Sequence, residues 1–145
     1  MTNIQSDQPL SLSKDKIKVL FLEGINDIGN QARVNTGLTS ADLIAGLRQI
    51  VDRAHLAGLK VIGCTLTPYQ GAGYYSDAGE VMREAENEFI RRSGVFDAVV
   101  DFDAAVHDPT NPTRYRTEMQ SGDNLHPSDA GYKAMADAID LALFD

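Results

Sequence analysis

Three side chains in this sequence have the types and the spacing to move protons together. Asp123 and His126 stand three residues apart in an Asp-x-x-His-Pro run that ends at Pro127. In a loop, that spacing lets the carboxylate curl back and accept a hydrogen bond from its own histidine. The imidazole tautomer is then fixed, and the other ring nitrogen can act as a base. Far upstream, the turn Gly24-Ile25-Asn26-Asp27 follows the apolar run Val19-Leu20-Phe21-Leu22. At such a place the Asn26 amide can point into a cleft and donate to a developing oxyanion. A base, its orienting acid and an oxyanion donor are three parts of an acyl-transfer site. The fourth part, a nucleophile, is not evident.

Each of these residues also has a plainer reading. An Asn-Asp pair after a strand commonly turns the chain through its own side chain. His-Pro-Ser-Asp reads as the approach to a helix capped by Ser128; the two roles are compatible, because the cap would lock the loop that carries His126. Asp27 suits a supporting group that bonds the loop backbone and holds Asn26 in place. Gly24 suits a position that needs backbone freedom or a close approach. Tyr69, Tyr74 and Tyr75, interleaved with Gly71 and Gly73, form an aromatic loop that could wall a sugar or an acyl group, or simply cover the domain edge. Arg114 and Arg116 read as solvated loop residues that balance nearby acids. His55 sits late in a helix and His107 in an irregular loop, and neither has metal-ligand spacing, so neither metal nor cofactor is expected.

Gly24, Asn26 and Asp27, followed much later by Asp123 and His126, resemble two motif blocks of the SGNH (GDSL-type) hydrolases. By that resemblance Asn26 is an oxyanion donor, His126 the general base and Asp123 its orienting acid. The resemblance implies a carboxylic-ester hydrolase of the acylhydrolase or acetylesterase kind, working by a Ser-His-Asp mechanism on a small ester or an acetylated carbohydrate. It extends from about Ile17 to the C-terminus. The family's Gly-Asp-Ser nucleophile block and its oxyanion-glycine block have no counterpart in the sequence. Ser121 lies in Ser-Gly-Asp, the reverse of that tripeptide, and is badly placed to face His126. Ser11 and Ser13 would reach the site only if the N-terminal segment folded back. The contrasting reading is a catalytically inert truncated or interaction module that associates through an exposed edge strand.

These residues must be positioned by strands and helices that the hydrophobic pattern marks out. Met1 to Lys16 is polar and aperiodic and reads as a flexible arm, with 17–145 forming a single, partial domain. Ile17–Leu22 is a continuous apolar run, as expected of a parallel strand covered on both faces. Thr39 or Ser40 caps a helix to about Ala57 with Leu43, Leu47, Ile50, Val51 and Ala54 inward, stopped by Gly58. Leu59–Leu66 is a second strand. Ser76 caps a helix over Asp77–Arg92 with Val81, Ala85 and Phe89 inward, stopped by Gly94. Val95–Phe102 is a third strand. An irregular stretch with Pro109 and Pro112 precedes a last helix from Ser128 to about Leu143, with Ala134, Met135, Ala138 and Ile139 inward.

Alternating strands and helices predict an α/β fold with a parallel sheet between helical layers. The resemblance specifies a three-layer, flavodoxin-like arrangement that is incomplete at its N-terminal side. In such sheets loops at the carboxyl ends of strands share one rim, so the Asn26 turn, the Thr67-Pro68-Tyr69 loop and the loop before His126 should converge. The first strand would lack a neighbour, and an apolar edge invites association. The N-terminal arm, a second copy in a homodimer or a complementing N-terminal fragment would cover it.

Thirteen basic residues against 21 acidic ones give a net charge of −8, which argues against nucleic acid or an anionic membrane as partner. The lone cysteine, Cys64, excludes an intrachain disulfide and reads as a small buried hydrophobe. No stretch has the length of a membrane span or the pattern of a signal peptide. The chain as written reads as soluble and cytoplasmic, with export of a longer parent left open.

Overall fold

Parallel pairing of three apolar segments organises residues 17–145, the part of the chain that the computed structural model describes. The expected N-terminal arm, with Ser11 and Ser13, lies outside them. Strands β1 (Lys18–Phe21), β2 (Lys60–Cys64) and β3 (Ala98–Val100) form a sheet in the order β1-β2-β3. Val19 lies opposite Val61, and Ile62 opposite Ala98.

Strand alternation sends successive β2 side chains to two different cores. Val61 packs with Val51, Ile90 and Phe96 beneath helices α2 (Ser40–Leu56) and α3 (Asp77–Arg92). Ile62 and Cys64 face the other way, toward Val100, Phe102, Val106, Tyr115 and Met135. Gly63 is glycine because the Phe96 ring occupies the space of a side chain, 2.7 Å from where a Cβ would stand. Cys64 is 1% exposed, and burial pushes its thiol up to about 11, so it behaves as a small apolar residue. Helical layers on both faces of a parallel sheet make the fold α/β, as the alternation predicts.

The two long helices begin where the capping residues indicate. Thr39 and Asp42 form a reciprocal capping box at α2, and the Ser76 hydroxyl accepts from Gly79 N–H at α3. Helix α3 nevertheless turns a different face inward from the one expected. Val81 is 64% exposed, whereas Glu80, Arg83, Glu86 and Asn87 are buried. Glu80, Arg83 and Asn87 find polar partners in one another or near the ends of β2 and β3. Arg83 pairs with Glu80 and donates to Asp103 and to the Leu66 carbonyl, each at 2.9 Å. Asn87 accepts from Leu66 N–H at 2.7 Å and donates to its carbonyl at 2.8 Å. Ile50 of α2, expected inward, is 47% exposed.

Four further elements depart from the pattern. Residues 25–34, read as a turn and its continuation, form helix α1 (Ile25–Val34). Its Asn and Gly content hides a helix that Ile28, fully buried against Leu66, Tyr69 and Met82, anchors by packing. The third strand stops at Val100, because Asp101 accepts from Ala104 N–H and caps helix α4 (Phe102–Val106). The stretch with Pro109 and Pro112 is a hairpin of β4 (His107–Asp108) and β5 (Asn111–Tyr115), with Asp108 accepting from Thr110 N–H in its turn. Helix α5 (Asp129–Asp137) is shorter than its apolar pattern and gives way to a 3-10 turn over Leu141–Phe144. No helix of the described residues is long and apolar enough to cross a membrane.

Candidate active site

Loops at the carboxyl ends of β1 and β2 and the segment before α5 meet around a cavity of about 240 Å³. Gly24 and Asn26 line it from the start of α1, Thr67 and Tyr74 from the β2–α3 loop, and His126 from the segment before α5. Leu66, Leu125 and Met135 supply apolar wall. The convergence expected of three loops in a parallel sheet is therefore present.

The histidine is held by a short folded-back loop. An antiparallel bridge between Gln120 and Pro127 closes its base, and Ser121 N–H donates to the His126 carbonyl at 2.9 Å. The Gln120 side chain accepts from Gly122 N–H at 2.6 Å, and Gly122 and Asn124 take left-handed conformations to complete the reversal. One Asp123 oxygen accepts the backbone N–H groups of Leu125 and His126, both at 2.9 Å. The other lies 2.6 Å from His126 Nδ1. His126 donates most strongly, and with the two backbone donors it holds the Asp123 carboxyl well below the usual carboxylate range. An ionised Asp123 places the proton on Nδ1, so Nε2, which has no partner among the described residues, is left as the basic nitrogen. Ser128 caps α5, its hydroxyl accepting from Gly131 N–H at 3.2 Å. The same hydroxyl donates to the Glu118 carbonyl at 2.7 Å, which ties the helix start to the loop. Ser121 donates to Asp123 at 3.2 Å and is engaged there rather than with the imidazole.

Asn26 stands in the first turn of α1, not in a free turn. Gly24 precedes the helix with φ +127, and a Cβ there would lie 2.5 Å from both carboxyl oxygens of Glu86; backbone conformation and close approach both demand glycine. Asp27 does not hold Asn26: its side chain has no hydrogen bond among the described residues, and its charge acts on buried Glu86. Tyr74 takes that part instead, its hydroxyl donating to Asn26 Oδ1 at 3.3 Å. Occupying Oδ1 in this way leaves the amide N–H₂ as the end free to donate. Gly29 admits the Tyr74 ring, which a side chain at that position would strike.

The three tyrosines do not act together as a loop over the rim. Tyr69 is fully buried and Tyr75 packs edge-on against it, donating to Asp77 at 3.2 Å; only Tyr74 faces the cavity. Apolar neighbours claim Tyr69 because it sits between Ile28 and Met82. Arg114 donates to Gln70, and Arg116 to the His107 carbonyl, so both serve the hairpin. His55 bonds Asp97 at 2.8 Å, away from the cavity. Among the described residues no group of three or more His, Cys, Asp or Glu is placed to hold a metal ion.

Sequence reasoning missed Tyr74 as the Asn26 partner and Glu86 beneath Gly24. A signal existed for Glu86: Glu80, Arg83, Glu86 and Asn87 repeat at helical spacing, a polar stripe that competes with the apolar one.

The family model for GDSL-like lipases and acylhydrolases matches residues 2–139. Solved structures share the fold. An acylhydrolase-like protein from Bacteroides fragilis superposes with a TM-score of 0.68 at 22% identity, over 87% of this chain and 60% of its own. A GDSL-like lipase from Bacteroides thetaiotaomicron gives 0.66 at 18% identity, over 86% and 60%. A lipolytic-type protein of the G-D-S-L family from Desulfitobacterium hafniense gives 0.60 at 21% identity, over 83% and 62%. The chain thus spans about three fifths of the length of these structures. Among curated proteins none matches the sequence.

Proposed function

Because the chain belongs to the GDSL-like lipase/acylhydrolase family, we propose that it supplies the base, orienting acid and oxyanion donor of a carboxylic-ester hydrolase. The observation that carries this reading is the 2.6 Å Asp123–His126 contact on the rim of the cavity that Asn26 also lines. His126 Nε2 takes the proton of an attacking serine hydroxyl, and the Asp123 carboxylate stabilises the imidazolium that forms. The Asn26 amide donates to the tetrahedral oxyanion as the ester carbonyl is attacked. The imidazolium then returns the proton to the departing alcohol, and water repeats the sequence to free the acid.

The serine belongs to a Gly-Asp-Ser segment other than these residues, which contain no such tripeptide. A cavity of about 240 Å³ with Leu66, Leu125 and Met135 on its wall suits a short acyl group such as acetate on a small ester or a carbohydrate. A second reading, an inert module that associates through its edge strand, has its own support. β1 has no strand partner on its outer side among the described residues, and Leu20 within it and Leu22 just after it are each 39% exposed.

Incubating the chain with p-nitrophenyl acetate and a serine-reactive phosphonate, then measuring intact mass, tests where the nucleophile lies. A serine supplied from elsewhere predicts no phosphonate adduct and only slow release of p-nitrophenol. Rapid turnover with a single adduct would overturn that assignment of the nucleophile.

A further inference from the structure

Behind the Gly24 turn, on the side away from His126, a second cavity of about 200 Å³ opens between α1, α2 and β1. Glu86 closes it. This residue is 1% exposed, and neither carboxyl oxygen has a hydrogen-bond partner among the described residues. A buried carboxylate without a partner is strongly disfavoured, and a group of that kind is normally paired or bound to a ligand. Three further acids face the cavity: Glu23 from the β1–α1 junction, Asp27 from α1 and Asp42 from α2. Among the described residues no Lys, Arg or His lines it, while Phe21, Leu43, Leu47 and Ile50 make an apolar wall. Buried Arg83, one turn away on the same helix, is already engaged by Glu80, Asp103 and the Leu66 carbonyl.

We propose that this cavity binds a cation on an aliphatic stem, with an ammonium between Glu86 and Asp27 and its alkyl chain along Leu43, Leu47 and Ile50. The chemistry fits in both halves. The ammonium supplies the donors that Glu86 lacks and neutralises the acids around it, and the stem covers Ile50, which is otherwise 47% exposed. The volume holds several groups the size of a water molecule, each about 30 Å³, so a short alkyl chain is accommodated. A free amine and the lysine side chain of a polypeptide laid beside β1 present the same group. The site is separate from the ester cavity, although Glu23 and Gly24 contribute to both walls.

The thermal unfolding midpoint of the purified chain at pH 8 tests the site with n-hexylammonium, with capped lysine (N-acetyl-lysine methylamide), and with n-hexanol at matched ionic strength. Either cation should give a saturable rise of roughly 5–10 °C at about one hundred times Kd, and hexanol should not. A response to the amine alone assigns a free ligand, and a preference for capped lysine assigns a side chain. Glu86→Gln keeps the shape and removes the charge, so it should abolish the rise; His126→Ala, in the other cavity, should retain it. The carboxyl carbon resonance of Glu86 should also titrate at lower pH when hexylammonium is saturating. An equal response to hexanol, a response that survives in Glu86→Gln, or no response to either cation overturns the proposal.

Discussion

Replacing Glu86 by glutamine should make the protein more stable, and only above acid pH. Burial, and then the charge of Asp27, push the Glu86 carboxyl up from an ordinary 4.5 to about 8. The fold therefore favours the protonated acid, while the unfolded chain ionises freely. Stability associated with this group is complete below 4.5, declines as pH rises from there to about 8, and is flat beyond. Each pH unit in that interval is worth about 1.36 kcal/mol, so the handicap reaches about 3 kcal/mol at pH 7 and exceeds about 4 kcal/mol at pH 8. Glutamine never ionises and has nearly the same shape. Urea unfolding of both proteins at pH 5, 7 and 8 should show an advantage for Glu86→Gln that grows from less than about 1 kcal/mol to those values. An advantage independent of pH, or a variant less stable throughout, would refute the placement of an unpaired acid beneath Gly24.

Three other perturbations probe the site and its support. Gly29→Ala should displace the Tyr74 ring, cost about 1–3 kcal/mol in urea unfolding, and shift the Asn26 side-chain amide resonances as Tyr74→Phe does; unchanged resonances would dismiss Tyr74 as the prop of Asn26. Arg83→Met leaves Glu80 buried without its cation and Asp103 with Arg91 alone, and should lower stability by about 3–5 kcal/mol by denaturant titration, whereas a loss under about 1 kcal/mol would make the network dispensable. Asp123→Asn should convert the His126 ring from a single Nδ1–H tautomer to a mixture, read from its ring nitrogen shifts at alkaline pH, and an unaltered tautomer would remove Asp123 from the orienting role.

Strand–helix alternation and the capping residues were legible because each rests on local chemistry. Thr39, Ser76 and Ser128 start their helices where hydroxyls can accept backbone N–H groups. The Asp123–His126 contact was legible for the same reason, since three residues of loop contain it. Helix α1 was not, because Asn26, Gly29 and Asn30 have little helical preference and only the tertiary burial of Ile28 makes the segment a helix. The inward face of α3 was misread for a related reason. Phe89 does pack against the core of Val51, Val61 and Ile90, but periodicity also favours Val81, and the groups that receive Arg83 and Asn87 come from Asp103 and Leu66, far off in sequence. The three tyrosines were indistinguishable by type, and only packing separates buried Tyr69 from Tyr74 at the cavity.

On the proposed reading, His126 is the base of an ester hydrolase completed by a serine from another segment. Fusing a Gly-Asp-Ser-bearing strand from a solved family member ahead of β1 and measuring kcat/KM for p-nitrophenyl acetate tests it most directly. The fusion should hydrolyse the ester, and His126→Ala should lower kcat/KM by roughly a thousandfold or more. Equal turnover with and without His126 would contradict the account.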